Sequence, residues 1–79
     1  METVTIDITC KSKAANQVIN QSGVNIYRYN GIDPTIKQGE CVVRIKDIDE
    51  VLYESLTIKE LVEYYGIDAE NYISHEEVV

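Results

Sequence analysis

The chain has 79 residues, 44% of them hydrophobic and 27% charged, and a formal net charge of −7 from 14 acidic and 7 basic side chains. That balance belongs to globular chains and not to disordered ones, and the length predicts a single domain over 1–79 with a thin core. No stretch approaches the apolar length of a membrane span, and Met1–Thr5 has neither a basic region nor an apolar run. A cytoplasmic protein with reduced thiols is the expectation.

The first predicted element is a strand over 3–11. Val4, Ile6, Ile8 and Cys10 alternate with Thr3, Thr5, Asp7 and Thr9, and β-branched side chains suit a pleated surface with one side buried. The period then changes. Ser12 is a helix cap, Ala14, Ala15, Val18 and Ile19 recur at helical spacing, and Gly23 is a stop, which predicts a helix over about 13–21.

Alternation returns over 24–29, with Val24, Ile26 and Arg28 on one side and Asn25, Tyr27 and Tyr29 on the other. Asn30-Gly31 and Asp33-Pro34 are turn chemistry and open a wide loop over 30–39. A third strand is predicted over 40–46, with Cys41, Val43 and Ile45 facing in and Val42, Arg44 and Lys46 facing out. Cys10 and Cys41 thus read as two buried free thiols, because free cysteine behaves as a small hydrophobe.

Asp47 and Glu50 have the spacing of a capping box, and Ile48, Val51 and Leu52 follow at helical spacing, predicting a helix over about 48–55 in preference to a strand over 50–55. A second C-terminal helix is predicted over about 58–65. Thr57 caps it, Glu60 completes the box, Ile58, Leu61, Val62 and Tyr65 form its apolar stripe, and Gly66 stops it. Residues 68–79 read as a loosely ordered acidic tail. The predicted fold is therefore α+β, with a small three-stranded sheet, one connecting helix and two C-terminal helices.

Charge is unevenly spread along these elements. Residues 1–46 carry six basic and four acidic side chains, a balance of +2, whereas 47–79 carry ten acids against Lys59 alone, a balance of −9. So one-sided a field is costly in self-repulsion and implies a basic partner. Tyr53, Tyr64, Tyr65 and Tyr72 lie among the acids, and tyrosine is enriched at interfaces. The candidate partner-binding residues are Asp47, Asp49, Glu54, Glu63, Tyr64, Asp68, Glu70 and Tyr72.

Motifs for chemistry are missing. His75 is the only histidine and lies far from both cysteines in sequence, so no nucleophile–base pair is expected. Asp47-x-Asp49 begins like a calcium loop, but Val51 and Leu52 stand where an oxygen ligand and glycine are required. No zinc-ligand spacing and no phosphate-cradling glycine loop is present. No enzyme activity, metal or cofactor is expected.

Residues 56–68, Leu-Thr-Ile-Lys-Glu-Leu-Val-Glu-Tyr-Tyr-Gly-Ile-Asp, resemble the first helix and turn of a helix-turn-helix unit. The resemblance implies a second helix that enters the DNA major groove. The residues that follow include Glu70, Glu76 and Glu77, which would repel the DNA backbone, so direct nucleic-acid binding is not expected. The expected function is a small acidic protein-binding module. It would be an inhibitor that engages a basic, nucleic-acid-binding surface, as nucleic-acid mimics of phages and mobile elements do. The alternatives are an assembly subunit of a homo-oligomer, in the simplest case a homodimer, and a helix-turn-helix-like regulator.

Overall fold

Strict alternation over Thr3–Lys11 makes this segment (β1) an interior strand, paired on both sides. The computed structural model describes residues 2–14, 17 and 22–79. Its other strands are β2 (Val24–Tyr29), β3 (Glu40–Asp49) and β4 (Tyr72–Glu77); the helices are α1 (Glu50–Ser55) and α2 (Ile58–Tyr64). Single 3₁₀ turns lie at Ser12–Ala14 and Ala69–Asn71. Apart from its start and Gln17, the helix expected over 13–21 lies outside the described residues.

The sheet is α+β in class but has four strands, in the order β2-β3-β1-β4, with every pair antiparallel. β1 and β2 are consequently parallel with β3 between them, and β3 and β4 are parallel with β1 between them. Each of the two connections, β1 to β2 and β3 to β4, passes over one intervening strand. Ile6, Ile8 and Cys10 stand opposite Ile45, Val43 and Cys41 and form the floor of the core. Leu61, Val62 and Ile67 cover them from the helical layer. No helix among the described residues is long and apolar enough to cross a membrane.

Each strand pair contains one irregularity, and those in β3 and β2 correct expectations drawn from plain alternation. In β3 three steps separate Ile45 from Ile48 while their partners Ile6 and Val4 are two apart, so β3 carries one extra residue. Asp47 absorbs it at φ 59°, in the left-handed region that aspartate tolerates better than most side chains. Both Ile45 and Ile48 are thereby buried, and the strand runs on to Asp49 and does not stop at 46. In β2 the extra residue is Tyr27: Ile26 lies opposite Val43 and Arg28 opposite Val42. Arg28 therefore shares a face with Val42, and Tyr29 shares one with Val24 and Ile26, the reverse of the simple alternation.

The third irregularity is Ile73 in β4, which sends Tyr72 toward Cys10 on the core face and Ser74 toward Thr9 on the open face. Residues 72–77 are thus a paired edge strand where a loose tail was expected. Backbone bonds from β1 hold it, because hydrogen bonding along an edge needs no alternating apolar side chains. The segment also occupies the place where a helix-turn-helix unit would have its second helix.

The helices start and stop by local chemistry. α1 is capped by Asp49, whose carboxylate accepts from the amides of Val51 (2.8 Å) and Leu52 (3.4 Å). The expected cap at Asp47 is unavailable because that residue is committed to the bulge, and the helix begins at Glu50, two residues later than 48. α2 has the predicted box: Thr57 Oγ1 accepts from the Glu60 amide at 3.2 Å, and Glu60 Oε1 accepts from the Thr57 amide at 2.9 Å. Past its end Gly66 sits at φ 88°, while the Ile67 amide reaches back to the Val62 carbonyl (2.9 Å) and the Gly66 amide to that of Glu63 (3.0 Å). Ile67 is folded into the core by this turn.

The left-handed backbone at Asp47 makes a direct prediction. Asp47→Val places a β-branched side chain there and lowers stability by about 1–2 kcal/mol, whereas Asp47→Gly stays within about 0.5 kcal/mol of the parent. Urea unfolding monitored by circular dichroism checks this as a shift in midpoint at constant slope.

Candidate functional site

The sheet register decides where the acids lie. β1 begins, and β3 and β4 finish, at the same end of the sheet. Glu2, Asp47, Asp49, Glu76 and Glu77 therefore gather there from the two chain ends and the middle, and α1, which leaves from that end, adds Glu50 and Glu54. Two backbone bonds fasten the cluster: the Glu50 amide donates to the Glu2 carbonyl (3.3 Å), and the Val78 amide to that of Thr5 (2.9 Å). The opposite end carries Lys11, Lys13 and Lys37. The molecule is electrically polar along its strands.

Crowding at the acidic end is felt by individual groups. The carboxyl of Glu50 is held above its ordinary range, first by the hydrogen bond and charge of Glu2, then by Glu54. The phenol of Tyr53 is raised by burial and by the charge of Glu77, placing α1 beside the end of β4. Acids elsewhere are held the other way. Glu60 is lowered by its bonds to Thr57, and Asp33 by its bonds from Thr35.

The sequence-derived candidates divide into groups. Asp47, Asp49 and Glu54 belong to the acidic end, although Asp49 spends its carboxylate on the α1 cap. Asp47 Oδ1 accepts from Thr3 Oγ1 at 3.5 Å, and its amide donates to Thr5 Oγ1 at 3.3 Å. Glu63 and Tyr64 are exposed on α2, with Tyr64 packed edge-on against Tyr65 at 5.2 Å between centroids. Asp68 precedes and Glu70 lies within the turn before β4, toward the lysine-bearing end, and the Asp68 amide donates to Gln17 Oε1 (3.3 Å). Tyr72 is half-buried against the core, and its hydroxyl is 2.7 Å from His75 Nδ1. The eight residues do not form one face.

Glu2, Glu50, Glu76 and Glu77 share the acidic end without being among the eight. Glu76 and Glu77 are brought there by the β1–β4 pairing, which joins residues some seventy positions apart and leaves no local periodicity in so polar a strand, and Glu50 by α1.

The open face of the sheet has a different character. At its centre Arg44 forks onto Asp7, Nε to Oδ1 at 2.8 Å and Nη2 to Oδ2 at 3.0 Å, with Asp7 almost fully buried. The Tyr27 ring lies 3.6 Å from Arg44 Cζ, and the bond to Asp7 raises the guanidinium further above its usual value. Beside this group Arg28, Val42, Thr9 and Ser74 form a row across all four strands over a depression of about 270 Å³. Of the charged side chains that line it, Asp7 is paired with Arg44 and Arg28 with Asp33 at 3.7 Å, while Glu76, in register with Asp7, also borders it. No group of three or more His, Cys, Asp or Glu residues is placed to hold a metal ion among the described residues.

No protein-family model, curated protein or solved structure matches the chain. Functional reading therefore rests on the geometry alone.

Repulsion at Glu50 carries a testable sign. A carboxyl raised in the folded state favours folding while protonated, and that contribution is lost as pH rises through its folded value. Glu50→Gln should thus melt at a higher temperature than the parent near neutral pH. The difference should shrink as pH falls into the range where Glu50 takes up its proton. Thermal melts of both proteins across that range provide the measurement.

Proposed function

We propose that the protein is a binding module whose acidic sheet end engages a basic surface on another protein. The observation that carries this reading is the convergence of Glu2, Glu50 and Glu54, close enough to raise Glu50. Ion pairs among the described residues join Arg28 to Asp33 and Arg44 to Asp7, and none includes an acid of this end. A basic partner relieves that repulsion and gains the free energy a cationic groove ordinarily draws from phosphates. Occupying a nucleic-acid-binding groove in this way would make the protein an antagonist with no reaction of its own.

A pull-down from lysate tests the reading. Partner recovery should fall steeply as salt rises from about 50 mM to about 300 mM, because the Debye length contracts over that range. It should also fall when Glu2, Glu54, Glu76 and Glu77 are changed to Gln, yet persist when Glu63, Asp68 and Glu70 are changed instead. Equal recovery from both baits refutes the assignment to this end of the sheet.

One observation favours a second reading, self-assembly. β2 is an edge strand, and Ile26, Tyr27 and Tyr29 on it and Ile32 just beyond it are exposed, at 38–62%. An unpaired edge with apolar side chains is a template for a second copy of the same strand. Sedimentation velocity at micromolar and sub-micromolar concentration should then show a dimer that Ile26→Lys dissociates; a monomer throughout would sink this reading.

A further inference from the structure

Cys10 and Cys41 face each other directly across the β1–β3 ladder, on the core side of the sheet, with their sulfur atoms 3.8 Å apart. Both are free thiols. Directly opposed residues in an antiparallel pair have Cα atoms about 4.5–5.5 Å apart, within the span a disulfide bridges. The two thiols differ in access. Cys10 is wholly enclosed, whereas Cys41, though only 2% exposed, borders a groove of about 290 Å³ together with Ser12, Ile26 and Tyr29.

We infer that Cys10 and Cys41 are a peroxide-oxidisable dithiol, in which Cys41 meets the oxidant through the groove and Cys10 resolves it into a disulfide. The groove is largely apolar, which suits a small uncharged oxidant and disfavours an anionic disulfide such as oxidised glutathione. The protein's net charge of −7 adds to that discrimination. Electrostatics support the order of events. The hydrogen bond from Cys10 pulls the Cys41 thiol down to about 7, while the same bond and burial push Cys10 up.

The chemistry balances with hydrogen peroxide as the only co-reactant. The Cys41 thiolate attacks one peroxide oxygen, the O–O bond breaks, and the departing oxygen takes up a proton to leave as water. Cys41 is then a sulfenic acid. The Cys10 sulfur attacks the Cys41 sulfur, the S–O bond breaks, and hydroxide leaves with the Cys10 proton as a second water. Two thiols lose two electrons and two protons; one peroxide is reduced to two waters.

Intact-mass spectrometry of the protein, treated with hydrogen peroxide while native and then unfolded and alkylated, tests this. The expected product has lost two hydrogens, resists alkylation at both cysteines, and regains both thiols with a reductant. In Cys10→Ser, Cys41 should stop at a sulfenic acid trapped by a cyclic 1,3-dione. In Cys41→Ser, modification of Cys10 should be slower than that of Cys41 in the parent by about tenfold or more, since an enclosed thiol lacks access. A parent protein that keeps two alkylatable thiols after peroxide overturns the proposal without recourse to any variant. A Cys10 in Cys41→Ser that reacts as fast as the parent overturns the assigned order. A glutathione adduct forming faster than the peroxide-driven disulfide overturns the assigned oxidant.

Discussion

Pairing on both sides of β1 is the constraint from which the remaining arrangement follows. Ile6, Ile8 and Cys10 alternate without interruption, and β3 meets them with Ile45, Val43 and Cys41 in step. Because β1 lies between β3 and β4, a slip by one residue would turn its whole apolar set to solvent. The neighbouring strands yield instead. Asp47 in β3 and Ile73 in β4 each take up one unpaired residue, and Tyr27 does so where β2 joins β3. The bulges let residues of uneven spacing, such as Ile45 and Ile48, share one buried face.

The same ladder distributes the charge. Antiparallel pairing on both flanks of β1 places the start of one strand beside the ends of two others, so acids remote in sequence become neighbours. Buried hydrophobic surface sustains that crowding: Ile48 is fully enclosed next to Asp47, and Leu52 and Tyr53 of α1 pack on the core. The central Asp7–Arg44 pair is a contrast on the open face. There a buried carboxylate has a bidentate cation and a stacked ring beside it, so desolvation is offset locally. At the acidic end no ion pair joins the described residues.

Local signals were read well and nonlocal ones were not. α2 was legible in full, because Thr57, Glu60 and Gly66 act within one or two turns of their own positions. The buried face of β1 was legible for the same reason. β4 was not: Tyr72–Glu77 holds a strand through the backbone of β1, and its Ser, His and Glu side chains carry no apolar alternation. Asp47 misled because an aspartate before an apolar run is good cap chemistry, yet Asp49 has the same chemistry two residues later and only the bulge decides between them. The candidate binding residues divided for a related reason. Proximity along the chain grouped Glu63 and Asp68 with Asp49, whereas the sheet brings Glu2 and Glu77 there instead.

The two proposals occupy opposite ends of one ladder, and that separation has a physical consequence. Under the proposed function, a basic partner would be steered by the long-range field, with the acidic end leading and the lysine-bearing end turned away. Cys10 and Cys41 lie toward the trailing end, beside the last residues of β1 and the first of β3. The groove at Cys41 therefore stays open to a small oxidant while the acidic end is engaged. A disulfide there would cross-link two strands that already pair at that position, at the end of the ladder remote from Glu2 and Glu50. Oxidation and partner binding are accordingly expected to act as separable properties of this fold, each measurable while the other is held constant.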